Sequence, residues 1–444
     1  MKQEKSFFQI VCNLAVPVAL QSMLQASFSI VDQIMIGQLG SVSVAGVGLA
    51  GKFSSIYSVV ISAIGAVAGI MISQYMGQKN RQEIRRSFFM NLFLAGGLAV
   101  LFTVVCFAFP KQIMGIYSTD QETVQAAASY LAILTGTFIP MAGATLLSTM
   151  FRCMEKASLP LYASITAAIL NTGLNYILIF GKFGASAMGA EGAAIATVIS
   201  QIANVLIMLI MFWKYRTQLS AEPTQIHVKF NWMQYLQMLM PILICEFAWS
   251  LGENVYAVIY GHLGTDSCAA MTLINPVQGL MIGALCGLSQ AASVIVGKKL
   301  GNEEYDEAYV ASKKLIYYGF VGSILLSIVI ILTKSYYVKL YQVEESVIML
   351  TQQILVAYAI IAPFKVLNMI LGGGIIRSGG KTQYVMVIDM IGTWVFGVPL
   401  GFLSAFVFEL SIPYVYFILS IEECIRFAIS LVVFRKRKWM KKLD

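Results

Sequence analysis

The chain has 444 residues, of which 58% are hydrophobic and 12% charged, about half the charged share of an ordinary soluble domain. So little polar surface cannot cover a water-facing globule of this length, and a soluble fold is excluded. A net charge of +8 would suit nucleic acid in a soluble protein, but here the basic residues gather in particular connections, and no nucleic-acid partner is expected.

Apolar runs of 18 or more residues recur along the chain, each long enough to cross about 30 Å of hydrocarbon as a helix. They predict an all-α membrane protein with about twelve transmembrane helices, near 14–36, 53–76, 88–109, 124–150, 159–180, 193–213, 238–263, 269–296, 315–332, 348–376, 384–408 and 412–434. The first ten residues are too short and polar for a cleavable leader, so 14–36 is expected to remain as a membrane helix. Alternate connections collect 23 Lys and Arg on one face and 5 on the other. The positive-inside rule then puts both termini in the cytoplasm, with the chain in the cell (inner) membrane.

The longest polar connection, 214–232, contains Thr217, Ser220, Pro223, Thr224 and His227 and reads as a cytoplasmic linker. It divides an N-terminal six-helix lobe, 1–213, from a C-terminal one, 233–434, with a basic cytoplasmic tail at 435–444. The halves repeat. Gly37-Gln38-Leu39-Gly40 recurs as Gly261-His262-Leu263-Gly264, Met76-Gly77 as Leu300-Gly301 and Ile116-Tyr117 as Leu340-Tyr341, all 224 residues on. Pro17 meets Pro241 at that same offset, and Arg152 and Lys156 meet Arg377 and Lys381 at 225. An even number of helices per half makes both halves enter from one side, related by an axis along the membrane normal. Spacings such as Gly65-x3-Gly69 and Gly279-x3-Gly283-x3-Gly287 suit close helix contacts.

Several chemistries fall away. Gly46-x4-Gly51-Lys52 looks like a phosphate loop, but Phe53 stands where a magnesium-holding hydroxyl belongs and no strand precedes it. Two histidines are too few for an all-histidine metal cluster, and hydrolase motifs are missing. The seven cysteines lie mostly in apolar stretches without C-x-x-C pairing and read as core filler. Neither enzymatic chemistry nor a cofactor is expected.

What remains is ionisable residues inside apolar helices, which are costly there and are functional candidates. On helix 1, Asn13, Pro17, Gln21, Gln25, Ser29 and Asp32 recur at steps of three or four as one polar stripe. Asp32 falls about 27 Å along that helix from Leu14 by helical rise, at a depth shared by Asn171 and Asn175 on helix 5 and Thr197 on helix 6. This set is a candidate proton or sodium site. Helix 7 carries Glu246, Trp249, Glu253, Tyr256 and Tyr260 on one face, where carboxylates and aromatic rings together suit an organic cation. Lys365 on helix 10 needs a carboxylate partner at mid-membrane, and Glu246 or Glu253 is the best candidate. Asp389, Glu422 and Arg426 read as a structural trio, and the acidic run Glu303-Glu304-Tyr305-Asp306-Glu307 as a solvated loop.

In chain order, Asp32 with Gly37-x-Leu39-Gly40, the Met76-Gly77 turn, Asn171-x3-Asn175-Tyr176-x-Leu178-Ile179-Phe180-Gly181 and Gly189-Ala190-Glu191-Gly192-Ala193-Ala194-Ile195-Ala196-Thr197 resemble the multidrug and toxic compound extrusion (MATE) transporters. The likeness spans nearly the whole chain. It implies two six-helix lobes around a central cleft, and export of cationic drugs or metabolites against inward sodium or proton flow. Asp32, Asn171 and Thr197 match positions forming an ion site in some members, which usually carry Asp where this chain has Asn175. Glu253 matches a helix 7 acid used by other members, whereas the helix 10 acid expected near Lys365 and Val366 is absent.

The expected coupling residues are therefore Asp32, Asn171, Asn175, Thr197 and Glu253, and the expected substrate contacts Gln21, Gln25, Glu246, Trp249, Glu253, Tyr256 and Lys365. Sodium at Asp32 or Glu253 is the one metal ion anticipated. The partners would be small organic cations and the bilayer, bound by a monomer. Two rivals are a flippase for lipid-linked oligosaccharides from the same superfamily, whose anionic substrate would favour a basic cleft, and a membrane receptor or scaffold without transport.

Overall fold

A computed structural model describes residues 6–215, 231–339, 341 and 343–443. Most of the expected linker, and Leu340 of the repeat, lie outside them. Eleven described helical segments are long and apolar enough to cross a membrane. The protein is a multi-pass membrane protein, and its surface agrees: in Arg81–Ala108 only 22% of the apolar window is buried, and Phe93 and Leu332 are 76% and 70% exposed. In water such faces would associate; in lipid they are solvated.

The twelfth expected crossing, 412–434, is interrupted. α15 (Ile412–Leu419) ends at Ser420, and α16 (Ile421–Arg435) opens with Glu422 and Glu423. These acids with Arg426 take the segment below the composition of a simple span. The expected helix at 315–332 instead runs as α11, Tyr305–Val338. Tyr305, Asp306 and Glu307 thereby leave the expected acidic loop and form the first helical turn, where negative charge is favourable.

The described chain divides into two compact units, Leu20–Ile72 with Lys79–His227, and Met1–Ala19 with Ser73–Gln78 and Val228–Asp444. The amino-terminal unit contains most of α1 (Phe7–Gly37) and α2 (Ser41–Gly77), and then α3 (Arg81–Ala108), α4 (Pro110–Gly115), α5 (Gln121–Leu134), α6 (Phe138–Cys153), α7 (Ser158–Phe180) and α8 (Gly189–Tyr215). Asn80 and Asp120 cap α3 and α5 by accepting the amides of Glu83 and Thr123 at 3.2 and 3.0 Å. Its core is aromatic: Tyr57 is fully buried, packs at a tilt against Phe138 and donates to the Phe138 carbonyl at 2.6 Å. Of the small-residue spacings, Gly65 and Gly69 meet Thr145 and Thr149 of α6.

The carboxy-terminal unit contains α9 (Trp232–His262), α10 (Thr265–Gly301), α11, α12 (Glu345–Asn368), α13 (Thr382–Met390), α14 (Val398–Phe402), α15 and α16. The first turns of α1 and the last of α2 pack with it. Gly287 of α10 lies so close to the Ala15 carbonyl that any Cβ there would collide with backbone. α12 and α13 run into π-helical stretches at Met369–Ile376 and Ile391–Gly397. Gly392 and Gly397 leave room there for Arg426, Tyr256 and Glu422 to lie against the backbone. The segment after α16, expected as a basic tail in solvent, is packed instead. Trp439 is fully buried and stacks on Phe434, while the side chain of Gln74 donates to Ser378 and Lys441 and accepts from the Leu443 amide.

Candidate functional site

Four of the expected residues meet in the amino-terminal unit. Residues four apart on a helix share a face, so α7 presents Asn171 and Asn175 together toward Asp32 of α1 and Thr197 of α8. Asn175 is 1% exposed, and its Nδ2 donates to Asp32 Oδ1 at 2.7 Å, the short length of a bond to a charged acceptor. One amide atom of Asn171 lies 3.1 Å from both carboxylate oxygens. That atom is the amide nitrogen, which donates to the carboxylate. The other end of the Asn171 amide is 3.4 Å from Thr197 Oγ1. Asn175 Oδ1 is buried with no hydrogen-bond partner among the described residues, leaving an acceptor for an incoming proton or hard cation.

Two further helix 1 residues were expected to touch substrate. Gln21 donates through Nε2 to Ser164 Oγ at 2.8 Å, within the same unit. Gln25 is exposed.

The carboxy-terminal unit encloses a cavity of about 300 Å³. Its charged lining is Glu253 of α9, Lys365 of α12, and Glu422 and Glu423 of α16. Four phenols, Tyr256, Tyr260, Tyr358 and Tyr416, complete the wall. Tyr256 donates to Glu422 Oε2 at 2.8 Å, and Asn368 donates to Glu423 Oε2 at 2.9 Å. Behind the wall the Arg426 guanidinium stands 3.9 Å from Asp389, 3.9 Å from Glu422 and 3.8 Å from Glu423. It also donates to Thr393.

Some helix 7 expectations need correction. Glu246 does not meet Lys365: it lies outside the cavity, 3.6 Å from Arg377. Trp249 is 46% exposed and also lies outside. The cause is the helical step. Seven residues make nearly two full turns, so Glu246 shares the face of Glu253 but stands about 10 Å from it along α9, and Trp249 about 6 Å, which carries both away from the cavity. Lys365 lacks the close carboxylate expected for it; no ion pair to it forms within 4.0 Å among the described residues. The trio of Asp389, Glu422 and Arg426 is assembled, but Glu422 faces the cavity as well, and Glu423 joins it. The signal for these two was a pair of adjacent acids in an otherwise apolar segment.

A family model, MatE, matches residues 17–177 and again 241–403. The probable multidrug resistance protein NorM of Thermotoga maritima is 23% identical over 433 residues, covering 97% of this chain and 92% of that protein. The multidrug resistance protein MdtK of Yersinia enterocolitica is 24% identical over 402 residues, covering 88% and 86%. Among solved structures, an outward-facing multidrug resistance MATE family transporter of the MOP superfamily superimposes with a TM-score of 0.89 at 16% identity, covering 98% of this chain and 96% of that one. A MOP superfamily transporter from Pyrococcus furiosus, described as having a binding pocket of reverse polarity that suggests a different function, matches with a TM-score of 0.86 at 17% identity and the same coverage.

Proposed function

The chain belongs to the multidrug and toxic compound extrusion family, and on that premise we propose that it is a multidrug efflux antiporter: it exports cationic organic compounds in exchange for inward proton or sodium flow, from a cell membrane in which both its termini face the cytoplasm. The observation that carries this reading is the Asp32 cluster. A carboxylate among apolar helices is expensive unless it is paired or used, and Asp32 is held by Asn175 and Asn171 rather than by a basic partner. Its charge is thus free to be neutralised by an arriving ion.

Ion arrival does two things to these side chains. It removes the charge that Asn175 and Asn171 serve, and it engages the Asn175 oxygen that otherwise has no partner among the described residues. α1, which bears the acid, and α7, which bears its two donors, then relax around a neutral group. Antiport needs such an element with two states whose balance is set by the bound ion.

The substrate class is supported by the carboxy-terminal cavity. Its lining has three carboxylates to one ammonium, with the Arg426 guanidinium behind two of them, and four phenol faces; the negative excess and the rings suit organic cations. That balance opposes the anionic head of a lipid-linked oligosaccharide.

Asp32→Asn tests the coupling. Removing a charge lowers the cost of insertion, so the variant should reach the membrane in normal amount. It should lose uptake of a fluorescent cation into everted vesicles under either imposed gradient. Wild-type uptake at saturating and limiting gradients would remove Asp32 from the mechanism.

A further inference from the structure

We propose that Lys365 is a resident counter-cation of the carboxy-terminal cavity, occupying by covalent tether the charge position that a sodium ion would otherwise fill, so that organic cations displace an ammonium rather than a metal ion. The inference rests on the export reading for its biological setting, and its binding chemistry is read from the carboxy-terminal cavity alone.

Glu253, Glu422 and Glu423 converge on the cavity, and the cation that faces them there is Lys365. Arg426 is fixed by contrast, held among Asp389, Glu422 and Glu423 at 3.8 to 3.9 Å and bonded to Thr393. Lys365 has no carboxylate within 4.0 Å among the described residues, and its four-carbon stem lets the ammonium shift within the cavity. Tyr256 and Asn368 already satisfy one oxygen each of Glu422 and Glu423. The remaining carboxylate charge is diffuse and is balanced across the cavity instead of in one tight pair. A ligand cation can take that balance over without breaking a bidentate bond, and the ammonium moves aside. A metal ion entering beside the ammonium gains little, because like charges at such separations repel strongly in a half-dry cavity.

The test is binding of tetraphenylphosphonium to the purified protein in detergent, with sodium chloride or choline chloride at equal ionic strength. Wild-type affinity should be the same in the two salts. Lys365→Met should bind the probe about tenfold more tightly in choline, and sodium should then compete. Lys365→Arg, which keeps the charge, should behave as wild type. Lys365→Gln carries the same expectation as the methionine variant and is measured beside it, in case the apolar replacement folds poorly. Sodium competition in the wild type, no gain of it in either neutral variant, or an arginine variant behaving like the neutral ones would each overturn the proposal. Failure of the export reading would show only in vesicles, as lost or absent uptake.

Discussion

Asn175 and Thr197 both belong to the Asp32 cluster, yet their geometry ranks them differently. Asn175 donates at 2.7 Å to the carboxylate itself, while Thr197 stands 3.4 Å from Asn171 and bonds its own helix at Ala193. Removing a donor from a buried charged acceptor costs about 1–3 kcal/mol, whereas a long neutral contact is worth under about 1 kcal/mol. Asn175→Ala should therefore lower the thermal midpoint in detergent clearly more than Thr197→Ala does, and equal shifts would show that Asp32 is held some other way. This much was legible in the sequence, because a stripe at steps of three or four on one helix must meet polar residues of similar depth on its neighbours. The partner of Lys365 was not. Glu246 shares the azimuth of Glu253 but lies about 10 Å from it along the helix, where it meets Arg377, a residue read from the sequence as belonging to a basic connection.

The elements that escaped the sequence are those whose partners are remote. α16 reads as the end of a span, but the break at Ser420 re-aims its first turn and brings Glu422 and Glu423 to the cavity. The basic run from Arg435 to Lys438 reads as the start of a solvent-facing tail, and hydropathy cannot show that Trp439 packs on Phe434 or that Gln74 takes up the backbone of Leu443 across a separation of 369 residues. Burial of Trp439 predicts that Trp439→Ala costs about 3–5 kcal/mol, read as faster proteolysis of the segment and a lower thermal midpoint. The same strap carries a pH dependence. Lys442 bonds Glu303 at 2.7 Å and holds its carboxyl below the ordinary range. A depressed carboxyl stabilises above its unfolded value, and that contribution is lost as pH falls through the lowered folded value. Protection of the strap from protease should thus be constant near neutrality and fall only in acid, below about pH 4.5. Glu303→Gln should flatten the part of that fall due to this pair.

At the scale of the whole chain, the duplication is written in the backbone as well as in residue identities. Positive φ recurs at Gly40 and Gly264, at Lys79 and Glu303, at Glu155 and Gly380, and at Gly184 and Glu409, the first two pairs 224 apart and the last two 225. Only Gly40 and Gly264 keep the same residue type, so the turns have outlived the side chains that suit them; non-glycine residues rarely adopt this conformation without tertiary support. The two MatE matches begin at Pro17 and Pro241, again 224 apart. A repeated unit with an even number of crossings returns the chain to its starting side, and the basic residues then decide which side that is. Of the loop Lys and Arg, 23 lie on the side of the termini and 5 on the other, which predicts cytoplasmic termini. The buried Trp439 is a poor reporter, but Lys438 beside it is exposed, and so is Lys182 on the opposite face. In a background without native thiols, Cys106 and Cys153, which are fully buried, become Ala. Cys245, 2.8 Å from Asp389 Oδ2, becomes Ser to keep a donor. Lys438→Cys should then react with an impermeant maleimide in everted vesicles and not in intact cells, and Lys182→Cys should do the reverse. The opposite pattern would invert the topology, and with it the direction in which Asp32 meets its ion.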